Sequence, residues 1–303
     1  MKRKAFWKSL RRDRQLVFML IPVVIFFAVF SYYPLYGILI AFKDYSISRG
    51  ILGSPWAGLR YFRQFFSSPY FGRLLRNTVL ISVYSLLWGF PIPILFALLL
   101  NEFKDGKFKR VIQTVSYLPH FISLVVICGI LIDIFSPQGG VVNSLLYSLT
   151  GKRINFFGEP EWFRTMYVGS GVWQEFGWNS IIYLAAITGI NPDLYEAARI
   201  DGAGRLRQIW HVTLPGIKPT ILTLLILNLG NIMSVGYEKI ILLYSPTTYE
   251  TADVISTYVY RTGLLSQQYS YAGAVGLFNS AINIAILVLC NFAGKKLFGV
   301  GIW

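Results

Sequence analysis

Apolar positions in this chain gather into long blocks rather than alternating singly. The blocks cover residues 16–41, 78–100, 112–135, 166–190, 219–243 and 272–294, and the segments between them are rich in charge, Pro and Gly. About 20 apolar residues wound as a helix cross the ~30 Å of bilayer hydrocarbon, so each block predicts one membrane span. Lipid offers no partners to backbone polar groups, which restricts spans to helices and closed barrels. Blocks of this length without two-residue alternation exclude barrel strands. The pattern therefore predicts an all-α integral membrane protein with six transmembrane helices. It forms a single transmembrane domain over 16–303, behind a short basic N-terminal segment, 1–15.

Composition agrees with the pattern. The chain has 303 residues, 54% hydrophobic and 14% charged, with a mean hydropathy of +0.53. Soluble domains carry about 25% charged residues. Leu16–Ala41 follows a basic start, as a secretory signal would, but it is too long and lacks a small-residue cleavage site, so it is expected to be a retained first helix. Cys128 and Cys290 both lie in apolar blocks and predict reduced packing residues rather than a disulfide framework. His120 and His211 have no neighbouring Cys or acidic set, which argues against a metal site. The net charge of +14 is dispersed over short segments between spans, a distribution that suits topology-setting charge and not nucleic acid.

That dispersal is uneven. One side of the six-span arrangement collects the N-terminal Lys2 to Arg14, then Lys104, Lys107, Lys109 and Arg110, then Arg199, Arg205, Arg207 and Lys218, and finally Lys295 and Lys296. The other side holds fewer, so both termini are predicted to be cytoplasmic. The first outer segment fits this rule least well, because it carries Arg49, Arg60, Arg63, Arg73 and Arg76. Gly58 to Phe66 is aromatic and basic, and suits a short helix lying in the interface with its cations turned outward. Pro91, Pro93 and Pro119 predict kinks inside the second and third spans.

The segment 191–218, predicted to be cytoplasmic, is far longer than the roughly 2–8 residues that two bundle helices need as a connection. It reads as two short helices with a bend. Asn191 can cap the first, Pro192 suits its first position and Asp193 complements its dipole. Leu194, Ala197 and Ala198 form one small apolar face. Gly202 and Gly204 break the chain, Leu206, Ile209 and Trp210 form a second face, and Pro215 is expected to end the element. A patterned loop with apolar faces turned to the cytosol is built to dock something.

Glu196-Ala197-Ala198, three residues, Gly202, nine residues, then Val212-Thr213-Leu214-Pro215 resembles the EAA loop of permease subunits of bacterial ABC importers, with Val212 where that family favours isoleucine. The resemblance implies that the loop inserts into a cleft of a separate ATPase. It assigns this coupling to Glu196, Ala197, Ala198, Asp201, Gly202, Ala203, Leu206, Trp210, Leu214 and Pro215. It also implies two ATP-binding cassette subunits that hold ATP and Mg, a second homologous permease and an extracytoplasmic solute-binding protein, in a bacterial cytoplasmic membrane. The chain itself is expected to be no enzyme and to hold no cofactor, for it lacks a G-x-x-x-x-G-K-[ST] phosphate loop, and Gly202-Ala203-Gly204 lacks the third glycine of a dinucleotide site.

Tyr32-Tyr33-Pro34-Leu35, Ala41 to Tyr45 and Trp56 to Phe62 are similar to carbohydrate-type permeases. Pro91 to Glu102, Ser116 to Ser123 and Thr257 to Arg261 resemble the branch for oligosaccharides cut from polysaccharides such as pectin and alginate. Polar and aromatic residues within spans are candidates for the sugar path: Trp173, Gln174, Glu175, Trp178, Asn179 and Tyr183; Asn228, Asn231, Tyr237 and Glu238; Asn279 and Asn283. The equally open role for each is interhelical bonding or interfacial anchoring. An acidic cargo is expected from the branch and from Arg49, Arg60, Arg63, Arg73, Arg76 and Arg261 on the outer side. The same architecture serves peptides, amino acids, phosphate or polyamines. A secondary transporter should show more ionisable groups than Glu175, Glu238 and Lys239 within spans, and a membrane scaffold would not stimulate an ATPase.

Overall fold

The computed structural model describes residues 14–299 and 301. Most of the basic segment 1–15 lies outside them. The described residues are almost wholly helical and contain no strand, only an isolated bridge between Lys43 and Trp56. Four helical rods are long and apolar enough to cross a membrane: α1 (Arg14–Phe42), α3 (Phe71–Glu102), α9 (Arg205–Gly230) and α12 (Tyr269–Phe298). The other helices of six residues or more are α2 (Arg60–Phe66), α4 (Lys107–Phe121), α5 (Leu124–Phe135), α6 (Val141–Thr150), α7 (Pro160–Thr188), α8 (Pro192–Ile200), α10 (Tyr237–Leu243) and α11 (Ile255–Tyr260).

Three stretches differ from the predicted blocks. Residues 112–135 bend at Pro119 as expected, but far more sharply than a kink within one span: α4 and α5 meet at 102° after a 3-10 turn containing Pro119. Ser123 restarts the chain as a cap, its hydroxyl accepting from the Val126 amide. The block 219–243 is also divided. α9 stops at Gly230, residues 231–236 run as a non-helical turn, and α10 begins at Tyr237. Pro215 does not end its element, because the helix passes through it from a π-turn at Ile209–Thr213 into the body of α9. A proline near the start of a helical segment loses little, since its missing N–H falls where few bonds are formed.

α7 is the axis of the bundle. It packs along both halves of α3, which meet at Phe90–Pro91, and against α4 and α9. Gly177 allows its closest approach, because a Cβ there would collide with the Ser116 backbone of α4. One core cluster gathers Ile81, Cys128, Phe163, Ile240 and Val254. Another joins Phe65, Leu74, Met233, Tyr271 and Val275. A third, nearest α8, joins Ala97, Leu98, Tyr183, Ile187 and Ile217. By contrast α1 buries little within the chain: its apolar side chains from Phe18 to Ile38 are exposed, and burial begins only near its end at Ala41. In a membrane protein such surface meets lipid or another subunit.

Candidate functional site: a polar cavity and an exposed hairpin

The division of 219–243 opens the middle of the bundle. A cavity of about 440 Å³ lies between α3, α7, the end of α9, the 231–236 turn and α10. This volume is in the range of about 300–1,000 Å³ typical of small-molecule sites. Helical spacing supplies two of its walls. Val168, Gly171, Glu175 and Asn179 recur every three or four residues along one face of α7, and Ser82, Ser85 and Gly89 do so along α3. Asn228 and Asn231 come from the end of α9, Ser234 from the turn and Lys239 from α10.

The cavity brings together Gln174, Glu175, Asn179, Asn228 and Asn231 from among the sequence candidates. The others lie elsewhere. Trp173 is exposed and Tyr183 is packed in the core beside Ile187. Trp178 stacks on His120 with ring centroids 4.5 Å apart, and His120 Nδ1 is 2.9 Å from the Glu175 carboxylate. Tyr237 and Asn279 line a separate groove of about 510 Å³ with Tyr260, Tyr269 and Gly276. Glu238 is exposed and lines neither space.

Asn279 and Asn283 hold the turn itself. Asn283 Oδ1 accepts from the Met233 amide at 2.9 Å and its Nδ2 donates to Ser234 Oγ, while Asn279 Nδ2 donates to the Met233 carbonyl. These bonds satisfy backbone groups that the break releases, a requirement that lipid makes strict. Sequence reasoning had not singled out Ser82, Ser85, Ser234 and Lys239 as lining. The available signal was the position of Lys239 inside an apolar block.

At one end of the bundle, residues 191–218 form the expected two helices and bend. The Asn191 side chain caps α8 by accepting from the Asp193 amide at 3.1 Å. Gly202 has φ +74°. The Gly202 amide bonds the Arg199 carbonyl and the Ala203 amide bonds the Ala198 carbonyl, at 3.0 and 2.8 Å, the paired closure of a Schellman C-cap. Tyr195 and Thr213 join their hydroxyls at 3.0 Å across the hairpin, and Gln208 donates to the Ala203 carbonyl. Leu194, Ile200, Leu206 and Trp210 are left exposed, Ile200 at 87%. Ile209 differs from its expected place on the exposed face, since it turns in toward the Ile217 cluster. Glu196, Ala197, Asp201 and Pro215 are exposed, whereas Ala198, Ala203 and Leu214 are half-buried.

At the opposite end, Asp253 is fully buried. Arg261 grips it through two bonds of 2.9 and 2.8 Å, and Arg73 approaches at 3.5 Å. Burial opposes the charge of Arg261, but the hydrogen bonds it donates to Asp253 and Tyr244, together with the attraction of the Asp253 charge, outweigh this and hold the guanidinium above its ordinary range. Arg60 lies 3.7 Å from Asp44. Three of the outer cations are thus already partnered. No cluster of three or more His, Cys, Asp or Glu among the described residues is placed to hold a metal ion.

A helical bundle of membrane-length apolar rods around a polar central cavity is the arrangement of a transport subunit, and residues 89–297 match the family model of the binding-protein-dependent transport system inner membrane component. The chain belongs to that family. It is 45% identical over 302 residues to the polygalacturonan/rhamnogalacturonan transport system permease protein YteP of Bacillus subtilis (strain 168), covering 100% of this chain and 94% of that one. Protein LplB of the same organism is 44% identical, covering 95% and 91%. Among solved structures, a chain of a bacterial ABC transporter involved in import of the acidic polysaccharide alginate superposes with a TM-score of 0.89 at 46% identity, covering 97% and 99%.

Proposed function

We propose that this chain is one permease subunit of an ATP-driven bacterial importer for oligosaccharides released from acidic polysaccharides. The observation that carries the proposal is the 440 Å³ cavity, whose walls present the amides of Gln174, Asn179, Asn228 and Asn231 among serine hydroxyls. Amides and hydroxyls pair with sugar hydroxyls in either direction, whereas an ion path would call for a denser set of charges. The names of its relatives and of the alginate transporter support the same cargo class.

Six spans then consist of the four apolar rods, the bent pair α4–α5, and α7. At 29 residues α7 is long enough to cross, and its cavity-facing polar residues lower its hydropathy. The basic side faces the cytoplasm with both termini, and the hairpin 191–218 engages an ATPase there through Leu194, Leu206 and Trp210. ATP and Mg belong to two ATP-binding cassette subunits. A second homologous permease completes the pathway, and an extracytoplasmic binding protein delivers the cargo; the neighbouring alginate transporter has been captured with such a protein holding an alginate pentasaccharide. The ATPase pair closes on bound ATP and reopens after hydrolysis, and this cycle moves the hairpins and turns the cavity from one side of the membrane to the other.

The test is reconstitution of the whole complex and comparison of ATPase stimulation by binding protein loaded with uronate oligomers, neutral oligosaccharides or peptides. Uronate oligomers are expected to stimulate most. Stimulation by peptides alone would refute the carbohydrate function, and an equal response to both sugars would remove only the preference for acid.

A further inference from the structure

Lys239 is an unusual residue for its place. It lies within a block predicted to span the membrane, is only 8% exposed, and lines the central cavity. A buried ammonium is costly unless it is paired, and an ionisable group at such a depth is a functional suspect. No Asp or Glu forms an ion pair with it among the described residues. Glu175 lines the same cavity, but its carboxylate bonds His120 at 2.9 Å.

The ammonium is held without being neutralised. Nζ donates to the Tyr167 carbonyl at 3.2 Å and stands 5.2 Å from the centre of the Tyr167 ring. Gly171 makes room for it: a Cβ there would sit 3.4 Å from Nζ. An ammonium has three donors, and one is used. Ser82 lines the same cavity, 6% exposed, with a hydroxyl that finds no partner among the described residues. A cation with donors to spare, an unpaired hydroxyl and four amides around one space are the complement of a group that is anionic and rich in hydroxyls.

We infer that Lys239 is the cargo-facing cation of this cavity and binds the carboxylate of a uronate residue during its passage. The inference rests on the oligosaccharide-importer function proposed above and adds the residue that makes the path selective for acid. Arg73 and Arg261 do not offer that selectivity, since both are engaged with Asp253.

The experiment uses the complete complex in proteoliposomes with a uronate oligosaccharide as cargo, comparing wild type with Lys239→Gln and Lys239→Arg. Hydrogen bonds to charged groups imply that Lys239→Gln, compared at equal amounts of assembled complex, lowers uptake of the uronate oligosaccharide about tenfold or more. Lys239→Arg should retain uptake within about threefold. Carbodiimide added during turnover should join a cargo carboxylate to Lys239 Nζ as an amide, with the coupling reagent leaving as its urea, and the adduct should appear in peptide mass spectra. Unchanged uptake by Lys239→Gln, or a loss as large for Arg as for Gln, overturns the assignment. If the Gln variant fails to assemble, absence of the Lys239 adduct in the wild-type complex overturns it. A wild-type complex that imports no oligosaccharide, acidic or neutral, would instead sink the importer function itself.

Discussion

Replacing Gly202 with valine tests the bend between α8 and α9 at the residue that sets it. Gly202 occupies the left-handed region with φ +74° and closes the α8 C-cap. A Cβ added there meets nothing within 4 Å, so the substitution strains the backbone alone and leaves the packing unchanged. An L-residue in this region costs about 1–2 kcal/mol, and a β-branched residue sits at the upper end. Such a cost lowers the population of the native bend by a factor of roughly 5–30.

The position is exposed and lies outside the core clusters, so the subunit should still reach the membrane in normal amount. Uptake should fall by about the same factor while ATP hydrolysis falls less, raising ATP spent per sugar imported. Asparagine tolerates the left-handed region through its short polar side chain, so Gly202→Asn should retain most coupling, and Gly202→Ala should fall between. The assay is parallel measurement of uptake and phosphate release by the reconstituted complex. Wild-type uptake and an unchanged ATP-to-sugar ratio in Gly202→Val, at equal expression, would refute the argument that this bend transmits the stroke.

Other perturbations examine the supports of the cavity and the outer face. Gly177→Ala drives a Cβ into the Ser116 backbone, and overpacking of this kind costs roughly 1–3 kcal/mol, read as a lower melting temperature of the purified complex. Asp253→Asn leaves Arg261 facing a neutral partner; loss of a buried pair costs about 3–5 kcal/mol, with the low end expected because the Arg261 side chain keeps 24% exposure, and the loss should appear as faster protease cleavage within 244–271. Gln267 is exposed with φ 55° in that same segment, so a photo-crosslinker placed there should reach the binding protein in the docked complex; crosslinks confined to neighbouring helices would exclude this face from docking.

Much of the architecture was legible because lipid penalises every unsatisfied backbone group, which makes long apolar blocks a strong signal. The outer rods α1 and α12 follow their blocks closely, and Asn191 and Gly202 behave as local chemistry requires. The division of 219–243 was hidden, since the average hydropathy of the block remains high. Its cause is long-range: Asn279 and Asn283, on another helix, supply the bonds that let residues 231–236 leave the helix. The partners of Arg73 and Arg261 were hidden for a related reason. Their charges appeared available to an acidic cargo until folding brought Asp253 between them, 180 residues from Arg73. For the candidate path, composition named the right residue types but could not separate Asn228, which faces the cavity, from Asn283, which holds the wall. Lys239 was visible as an intramembrane charge, yet only the packing of α10 against α7 gives it a cavity to face.

The same break explains how a push at one end could reach the cargo. α9 begins at Arg205, inside the hairpin, and continues through the π-turn at Ile209–Thr213 to Gly230. At 1.5 Å per residue, its 26 residues span about 39 Å, so one rod joins the hairpin to the cavity wall at Asn228. Its near end is tied to the bend by Tyr195–Thr213 and Gln208–Ala203, and its far end stops where the chain is no longer helical. A helix continued through 231–236 would carry α10 and Lys239 along with α9. A non-helical turn, anchored instead to α12 through Asn283, lets α9 tilt while α10 stays packed against Cys128 and Phe163. Motion of the hairpin would then change the distance between Asn228 and Lys239, opening one wall of the cavity against another. Two cysteines replacing Asn228 and Ser234, crosslinked across this hinge, should therefore stop uptake while leaving the docking hairpin free to bind its ATPase; uptake at the wild-type rate with the crosslink complete would show that the stroke does not pass through α9.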